Sequence, residues 1–196
     1  MSLTASTMLE LGTEIPSFSL PDVRTGKMIQ PGSGQPILVM FLCRHCPYVV
    51  HVKSELARIG RDYAGKITIV AISSNDAEYN TDDSPERLKE MAEENSFSFP
   101  LCYDESQDVA ISFSAACTPD IFLFDRDRRL AYRGQIDGSR PGNGVAVDGR
   151  DLRAAMDALL KGARPAAEQR PSTGCNIKWK AGKQPVYYHR ALVNKK

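Results

Sequence analysis

The order of apolar and polar positions along the chain predicts an α/β domain. Apolar residues run without a break from Pro36 to Leu42, which is typical of a central strand buried on both faces. A second run, 67–72, is apolar and β-branched and predicts the next strand. Between the runs, apolar residues recur at helical spacing and predict an amphipathic helix: Val49, Val52, Leu56, Ile59 and Tyr63. A β–α–β unit with the usual right-handed crossover makes the two strands parallel.

The remaining pattern extends this unit on both sides. Ser84 before Pro85 predicts the N-cap and first residue of another helix, and the polar turn 125–128 between two apolar runs predicts an antiparallel hairpin. The other expected elements are a hairpin within 12–30, a short strand through Phe97, Phe99 and Leu101, a helical turn or two over 107–113, a loop at 139–149 and an amphipathic helix over 151–160. We therefore expect a domain over 12–162 and an irregular tail, 163–196, packed on it.

Composition and charge narrow the possible partners. The 196 residues carry a net charge of +1 and no basic block except the terminal Asn194-Lys195-Lys196, so a nucleic-acid partner is not expected. The longest apolar run has only the length of a strand, so a membrane partner is not expected either. Residues 1–11 lack the pattern of a secretory signal. The five cysteines are an odd number in a chain of this length, which favours a reduced, cytoplasmic protein over a disulfide framework.

The candidate chemistry lies in Cys43-Arg44-His45-Cys46, which joins the buried strand to the helix that Pro47 opens. A C-x-x-C pair is typical of zinc sites or of redox sites, and zinc usually needs a second pair. Here the position favours redox chemistry, because unpaired N–H groups at a helix N-terminus stabilise a thiolate. A metal site and inert buried cysteines remain the alternatives.

Three further stretches sharpen this interpretation. The opening Gly12-Thr13-x-Ile15-Pro16-x-Phe18-x-Leu20-Pro21-Asp22, the strand–C-x-x-C–helix unit and Thr118-Pro119 before Asp120-Ile121-Phe122-Leu123-Phe124-Asp125 resemble the redoxin branch of the thioredoxin superfamily. That branch includes the alkyl hydroperoxide reductase and thiol-specific antioxidant group. The resemblance implies a thioredoxin-like fold, in which a central mixed sheet is flanked by helices. It also implies a cis peptide bond between Thr118 and Pro119, facing the two cysteines.

The function that follows is thiol–disulfide exchange. The expected partners are protein or small-molecule disulfides and thiols and an unidentified reductant, with no cofactor and no resident metal, in a monomer or homodimer. From their positions, we expect Cys43 to be the more exposed, nucleophilic thiol and Cys46 to resolve the mixed disulfide. Arg44 and His45 should lower the pKa of Cys43. The buried acid that thioredoxins carry before the pair is missing from residues 36–42, so protons must use water, His45 or a group from elsewhere.

A peroxidase is the main alternative. Cys43-x-x-Cys46-Pro47 can be laid on the T-x-x-C-P segment of peroxiredoxins, which makes Cys46 peroxidatic and Cys43 resolving. The segment that begins at Cys175 and contains Trp179 also looks like the resolving-cysteine segment of two-cysteine peroxiredoxins. However, the family's threonine is replaced by Cys43, and no arginine stands near Pro119. Because Cys43 is closer to Cys46 along the chain, we expect Cys175 to stay a free thiol whose segment packs Ile177 and Trp179 on the domain.

Two non-enzymatic hypotheses remain. Cys43, His45 and Cys46, with His51 as a further ligand, could hold Cu(I). The acidic loop 76–84, with Tyr79, could be a docking surface, although a solvated loop is the simpler expectation. Of the single cysteines, Cys102 is expected in the core and Cys117 buried and inert. Trp179 and His189 are assigned one packing and one solvent role, in an order that the sequence does not decide.

Overall fold

A computed structural model describes residues 3–188 of the chain. The largest sheet has five strands in the order β6–β5–β4–β8–β9. The elements in chain order are β1 (Leu3–Ala5), β2 (Leu20–Pro21), β3 (Met28–Ile29), β4 (Ile37–Phe41), α1 (Pro47–Asp62), β5 (Thr68–Ser73), a 3₁₀ turn (Thr81–Asp83), α2 (Pro85–Glu94), β6 (Leu101–Tyr103), α3 (Asp108–Ser112), β7 (Cys117–Thr118), β8 (Asp120–Phe124), β9 (Leu130–Arg133), α4 (Arg150–Leu160) and β10 (Thr173–Asn176).

The two apolar runs form the centre of this sheet. Strand β4 pairs in parallel with β5, with Ile37 opposite Thr68, and in antiparallel with β8, with Phe41 opposite Asp120. All five residues of β4 are buried because the sheet is covered on both faces. This is the central mixed sheet flanked by helices that the resemblance implied.

The core has one layer on each face of the sheet. Side chains of α1, α2 and α4 pack on one face, against Leu38 and Met40 of β4. On the other face Phe41, Phe113 and Phe122 meet edge to face at centroid distances of 5.5–5.9 Å. Such tilted aromatic pairs add to the free energy gained by burial.

A second, three-stranded sheet joins the two ends of the chain to the middle, in the order β1–β10–β7. Strand β10 lies within the tail, which was predicted to be irregular, and it is antiparallel to both neighbours. Residues beyond β10 continue to pack on the domain, as predicted for Ile177 and Trp179, which are 1% and 8% exposed. The tail therefore belongs to the fold.

Most predicted elements are present, with shifted ends. The N-terminal hairpin is reduced to β2 and β3. Ser84 caps α2 by accepting a hydrogen bond from the Arg87 amide, and Pro85 is its first residue. The strand predicted through Phe97 begins only at Leu101, because Phe97 and Phe99 stack on each other in the preceding loop. No helix among residues 3–188 has the length and apolar character needed to cross a bilayer.

Candidate active site

The Cys43–Cys46 segment bridges the end of β4 and the start of α1. The Leu42 amide still donates to the Ile72 carbonyl, which extends the sheet to the residue before Cys43. Cys46 is the N-cap of α1 and Pro47 its first residue, where a missing N–H costs nothing. Both cysteine residues are 0% exposed. The prediction that Cys43 is the more exposed thiol is therefore wrong; the side chain of Thr118, in β7, packs against its sulfur.

Thr118 contacts both sulfurs. Its peptide bond to Pro119 is cis, as the resemblance implied. The Thr118 Oγ1 lies 3.2 Å from Cys43 Sγ, and its carbonyl oxygen accepts a hydrogen bond from Cys46 Sγ at 3.1 Å. Cys43 and Cys46 also lie close enough for each to shift the pKa of the other. The structure thus brings Cys43, Cys46, Thr118 and Pro119 together.

A third thiol lies at the same place. Cys175 on β10 pairs directly opposite Thr118, is 3% exposed, and interacts with Cys46 closely enough to lower the pKa of that thiol. Strand β10 can approach this closely because residue 174 is glycine: a Cβ there would lie 2.0 Å from the Thr118 carbonyl oxygen. Cys46 is therefore the central sulfur, with Cys43 on one side and Cys175 on the other.

The environment favours ionisation of Cys46 rather than Cys43. Burial acts to raise the pKa of Cys46, but hydrogen bonds from Cys175, Cys43 and the Thr118 hydroxyl outweigh it and lower that pKa. Burial raises the pKa of Cys43 well above the ordinary value, and the charges of Cys46 and Asp83 raise it further. The prediction of a lowered pKa at Cys43 is therefore wrong.

Arg44 does not act on the sulfurs. Its guanidinium donates to the Arg87 carbonyl at 2.7 Å and lies 3.4 Å from Glu90 and 3.3 Å from Glu94, all on α2. The expected stabilisation of the Cys43 thiolate by Arg44 is missing because these groups hold its charge elsewhere. Arg44 instead ties the 43–46 segment to α2.

His45 faces a buried carboxylate that the sequence analysis did not single out. His45 Nδ1 lies 2.6 Å from Oδ2 of Asp83, whose side chain is fully buried. The Arg44 amide donates to Asp83 Oδ1 at 2.9 Å, and Asn75 Nδ2 donates to Oδ2 at 2.8 Å. The amide of Lys178, in the tail, donates to Asn75 Oδ1 at 2.8 Å. The only sequence signal for Asp83 was its place in an acidic loop after β5.

Comparison with known proteins identifies the family of the chain. The model of the AhpC/TSA family matches residues 11–133. The chain belongs to the AhpC/TSA family. A search of curated proteins found no match.

Solved structures extend the likeness beyond the matched range. The crystal structure of an uncharacterized conserved protein from Geobacillus kaustophilus is 48% identical, with a TM-score of 0.90, and covers 92% of this chain and 97% of its own. A hypothetical protein from Sinorhizobium meliloti is 46% identical, with a TM-score of 0.89, over 91% of this chain and 100% of its own. A Chlorobium tepidum protein described as a thiol:disulfide interchange protein is 19% identical, with a TM-score of 0.63, over 78% and 99%, and shares the thioredoxin-like fold.

This AhpC/TSA protein also groups possible metal ligands. Cys43, His45 and Asp83 each place one donor atom within 4.8 Å of the other two. Thiolate, imidazole and carboxylate can all bind zinc. Among residues 3–188, His51 is not part of such a group; it lines a small cavity beside Pro119. The 2.6 Å between His45 and Asp83 is a hydrogen-bonding distance, so the pair as it stands is arranged to share a proton.

The other candidate residues of this AhpC/TSA protein lie away from the sulfurs or in its core. Cys102 is buried in β6, as predicted. Cys117 is buried too, as predicted, and burial raises its pKa. Tyr79 in the acidic loop is 71% exposed, whereas Trp179 packs on the domain. His189 lies outside the described residues.

Proposed function

We propose that this protein is a thiol–disulfide oxidoreductase that exchanges disulfides through Cys43-Arg44-His45-Cys46. The observation that carries the proposal is that Cys43 and Cys46 both contact Thr118, next to the cis proline. Two thiols held against the same residue are placed to form a disulfide with each other. The family and the fold support redox chemistry of this kind.

We infer that the two sulfurs take roles opposite to those expected from their order in the chain. Cys46, whose pKa is lowered, supplies the thiolate that attacks a substrate disulfide. One substrate sulfur leaves as a thiolate, and the other forms a mixed disulfide with Cys46. Cys43 then loses its proton and attacks Cys46 Sγ, which releases the second substrate thiolate and leaves the Cys43–Cys46 disulfide. The substrate gains the two electrons that the pair loses.

The proton of Cys43 needs an acceptor, because the pKa of this thiol is raised. The donor atoms of His45 and Asp83 lie within 4.8 Å of Cys43 and of each other. Asp83 keeps its position through the Arg44 amide and Asn75. The His45–Asp83 pair therefore supplies the acceptor that is missing from β4.

The burial of both sulfurs restricts the substrate. Because Cys43 and Cys46 are 0% exposed, a disulfide reaches Cys46 only when the segment around it opens. Small-molecule disulfides need a smaller opening than a folded protein does. We therefore expect small disulfides to be the faster substrates.

The test compares reduction of glutathione disulfide and of insulin disulfides, with dithiothreitol as the reductant. Wild-type protein should accelerate at least the first reaction, Cys46→Ser should abolish the effect, and Cys43→Ser should slow turnover because it cannot form the Cys43–Cys46 disulfide. Cys102→Ser is the matched control, because this buried thiol lies in β6 and should leave the rate unchanged. Equal rates with and without the wild-type protein would contradict the proposal.

A peroxidase is a second candidate, because the thiol with the lowered pKa, Cys46, occupies the peroxidatic position of the T-x-x-C-P segment. Against it, no arginine or lysine side chain within residues 3–188 hydrogen-bonds to Cys43 or Cys46, so a cation that would polarise a peroxide is missing from both sulfurs. Hydrogen peroxide consumption that persists in Cys43→Ser would favour the peroxidase.

A further inference from the structure

The tail strand β10 places a third thiol in contact with the reactive pair. Cys175 lies opposite Thr118, the residue that contacts both Cys43 and Cys46. All three cysteines belong to the same buried cluster, and interactions with Cys175 and with Cys43 both lower the pKa of Cys46. No other thiol has this relation to the pair: Cys102 is in the sheet, and Cys117 donates to the Pro119 carbonyl.

The position of Cys175 is held from several sides. Strand β10 is paired on both edges, with Leu3 opposite Cys175 on one side and Thr118 on the other. Just after the strand, the Lys178 amide donates to Asn75, and the Lys178 carbonyl accepts from Gln107 Nε2 at 2.9 Å. These contacts place Cys175 next to Cys46 before any oxidation occurs. The advantage that Cys43 has along the chain therefore disappears in the fold.

We propose that Cys175 is a second resolving thiol, so that the oxidised protein exchanges between a Cys43–Cys46 and a Cys46–Cys175 disulfide. The proposal rests on the function proposed above and adds a residue to it. Cys46 is the shared sulfur because it alone contacts both others.

The steps balance without a further reactant. When a substrate disulfide has formed a mixed disulfide with Cys46, Cys175 loses a proton, attacks Cys46 Sγ and releases the substrate thiolate. When Cys43–Cys46 has formed first, the same attack releases the Cys43 thiolate, which takes up a proton. In that second case no electrons leave the protein. The disulfide partner of Cys46 changes from Cys43 to Cys175, and Cys43 becomes a thiol again.

The experiment uses the full chain and glutathione disulfide as the oxidant. Reduced Cys43→Ser protein is mixed with glutathione disulfide and quenched with acid at intervals. Intact mass under non-reducing conditions and peptide mapping then locate each disulfide. We expect a glutathione adduct on Cys46 that is replaced by an intramolecular Cys46–Cys175 disulfide. In the Cys43→Ser/Cys175→Ser double variant the adduct should persist, and in Cys43→Ser/Cys102→Ser it should resolve as in the single variant.

The outcomes separate this proposal from the function on which it rests. If the adduct persists in Cys43→Ser while wild type forms Cys43–Cys46, Cys175 is not a resolving thiol and the oxidoreductase proposal stands. If wild type forms no intramolecular disulfide, both proposals fail. A covalent dimer that disappears on Cys175→Ser would show that Cys175 pairs with another chain, which would also overturn the proposed exchange within one chain. Should Cys43→Ser fail to fold, peptide mapping of oxidised wild-type protein decides. Finding both the Cys43–Cys46 and the Cys46–Cys175 disulfide would support the proposed exchange, and finding Cys43–Cys46 alone would refute it.

Discussion

Replacing Gly174 by alanine tests whether the close approach of β10 holds the three thiols together. The added Cβ would lie 2.0 Å from the Thr118 carbonyl oxygen and 2.7 Å from its carbonyl carbon. Backbone atoms cannot move aside as the end of a flexible side chain can. The strand must therefore separate from Thr118, which carries the hydrogen-bond acceptor of Cys46.

The size of the effect follows from that overlap. An ordinary contact of a methyl group begins at about 3.5 Å, so β10 has to move by more than about 1 Å. Inserting one methyl group into a packed site costs about 1–3 kcal/mol. The melting temperature of a chain of this size falls by about 2–4 °C for each kcal/mol. The same shift moves Cys175 from Cys46, so the Cys46–Cys175 disulfide should form more slowly than in the parent variant.

The assay combines thermal unfolding with disulfide formation in the Cys43→Ser background. Gly32→Ala is the matched control, because its nearest neighbour atom would be Thr68 Oγ1 at 3.9 Å, an ordinary contact far from the site. Gly174→Ala should lower the melting temperature and slow the formation of the Cys46–Cys175 disulfide, whereas the control should do neither. An unchanged melting temperature together with an unchanged rate would show that β10 does not need a glycine to reach Thr118.

One labelling experiment and two substitutions test the electrostatics of the site and core. Alkylation by iodoacetamide should label Cys46 before Cys43, with a pH midpoint below the roughly 8.5 of a free thiol; first labelling of Cys43 would contradict this order. Arg44→Ala should leave that alkylation midpoint unchanged. It should alter the free energy of unfolding by less than about 1 kcal/mol, because the ion pairs of Arg44 are partly exposed. A raised midpoint would show that the Arg44 guanidinium acts on the sulfurs. Burial raises the pKa of Asp120 from 3.8 to about 7, so the folded state holds a proton that the unfolded state has lost, and stability should fall as the pH rises from about 4 to 7. Denaturant unfolding of Asp120→Asn should show a flatter profile over that range, and an identical profile would exclude Asp120 as its cause.

The main sheet was predictable because its signals are local. The apolar runs before and after α1 are long, the helical spacing between them is regular, and Ser84-Pro85 is a clear helix start. Strand β10 was not predictable in this way. Its four residues, Thr173 to Asn176, include a glycine and an asparagine, and their pairing is made with β1 and β7, which are distant in the chain.

The same distinction holds for the site. The C-x-x-C segment and Thr118-Pro119 are motifs, so the sequence could identify them before any geometry was known. The order of the two pKa values could not be deduced, because it depends on Asp83, Thr118 and Cys175, which reach the pair only through the fold. Arg44 is the reverse case: it stands beside Cys43 in the sequence, yet its charge is paired with α2.

The tail contributes to the site in two places, beside Cys175 at one end of the three sulfurs and near Cys43 at the other. At one end, Gly174 allows the close approach to Thr118 and Cys175 donates to Cys46. At the other, the Lys178 amide holds Asn75, which in turn holds the carboxylate of Asp83 beside His45. Removal of the tail would therefore take a hydrogen-bond donor from Cys46 and loosen the proton acceptor of Cys43 in one step. The family match ends at residue 133, so these contacts come from a part of the chain beyond it. The acidity of Cys46 is thus a property of the packed tail as much as of the C-x-x-C segment.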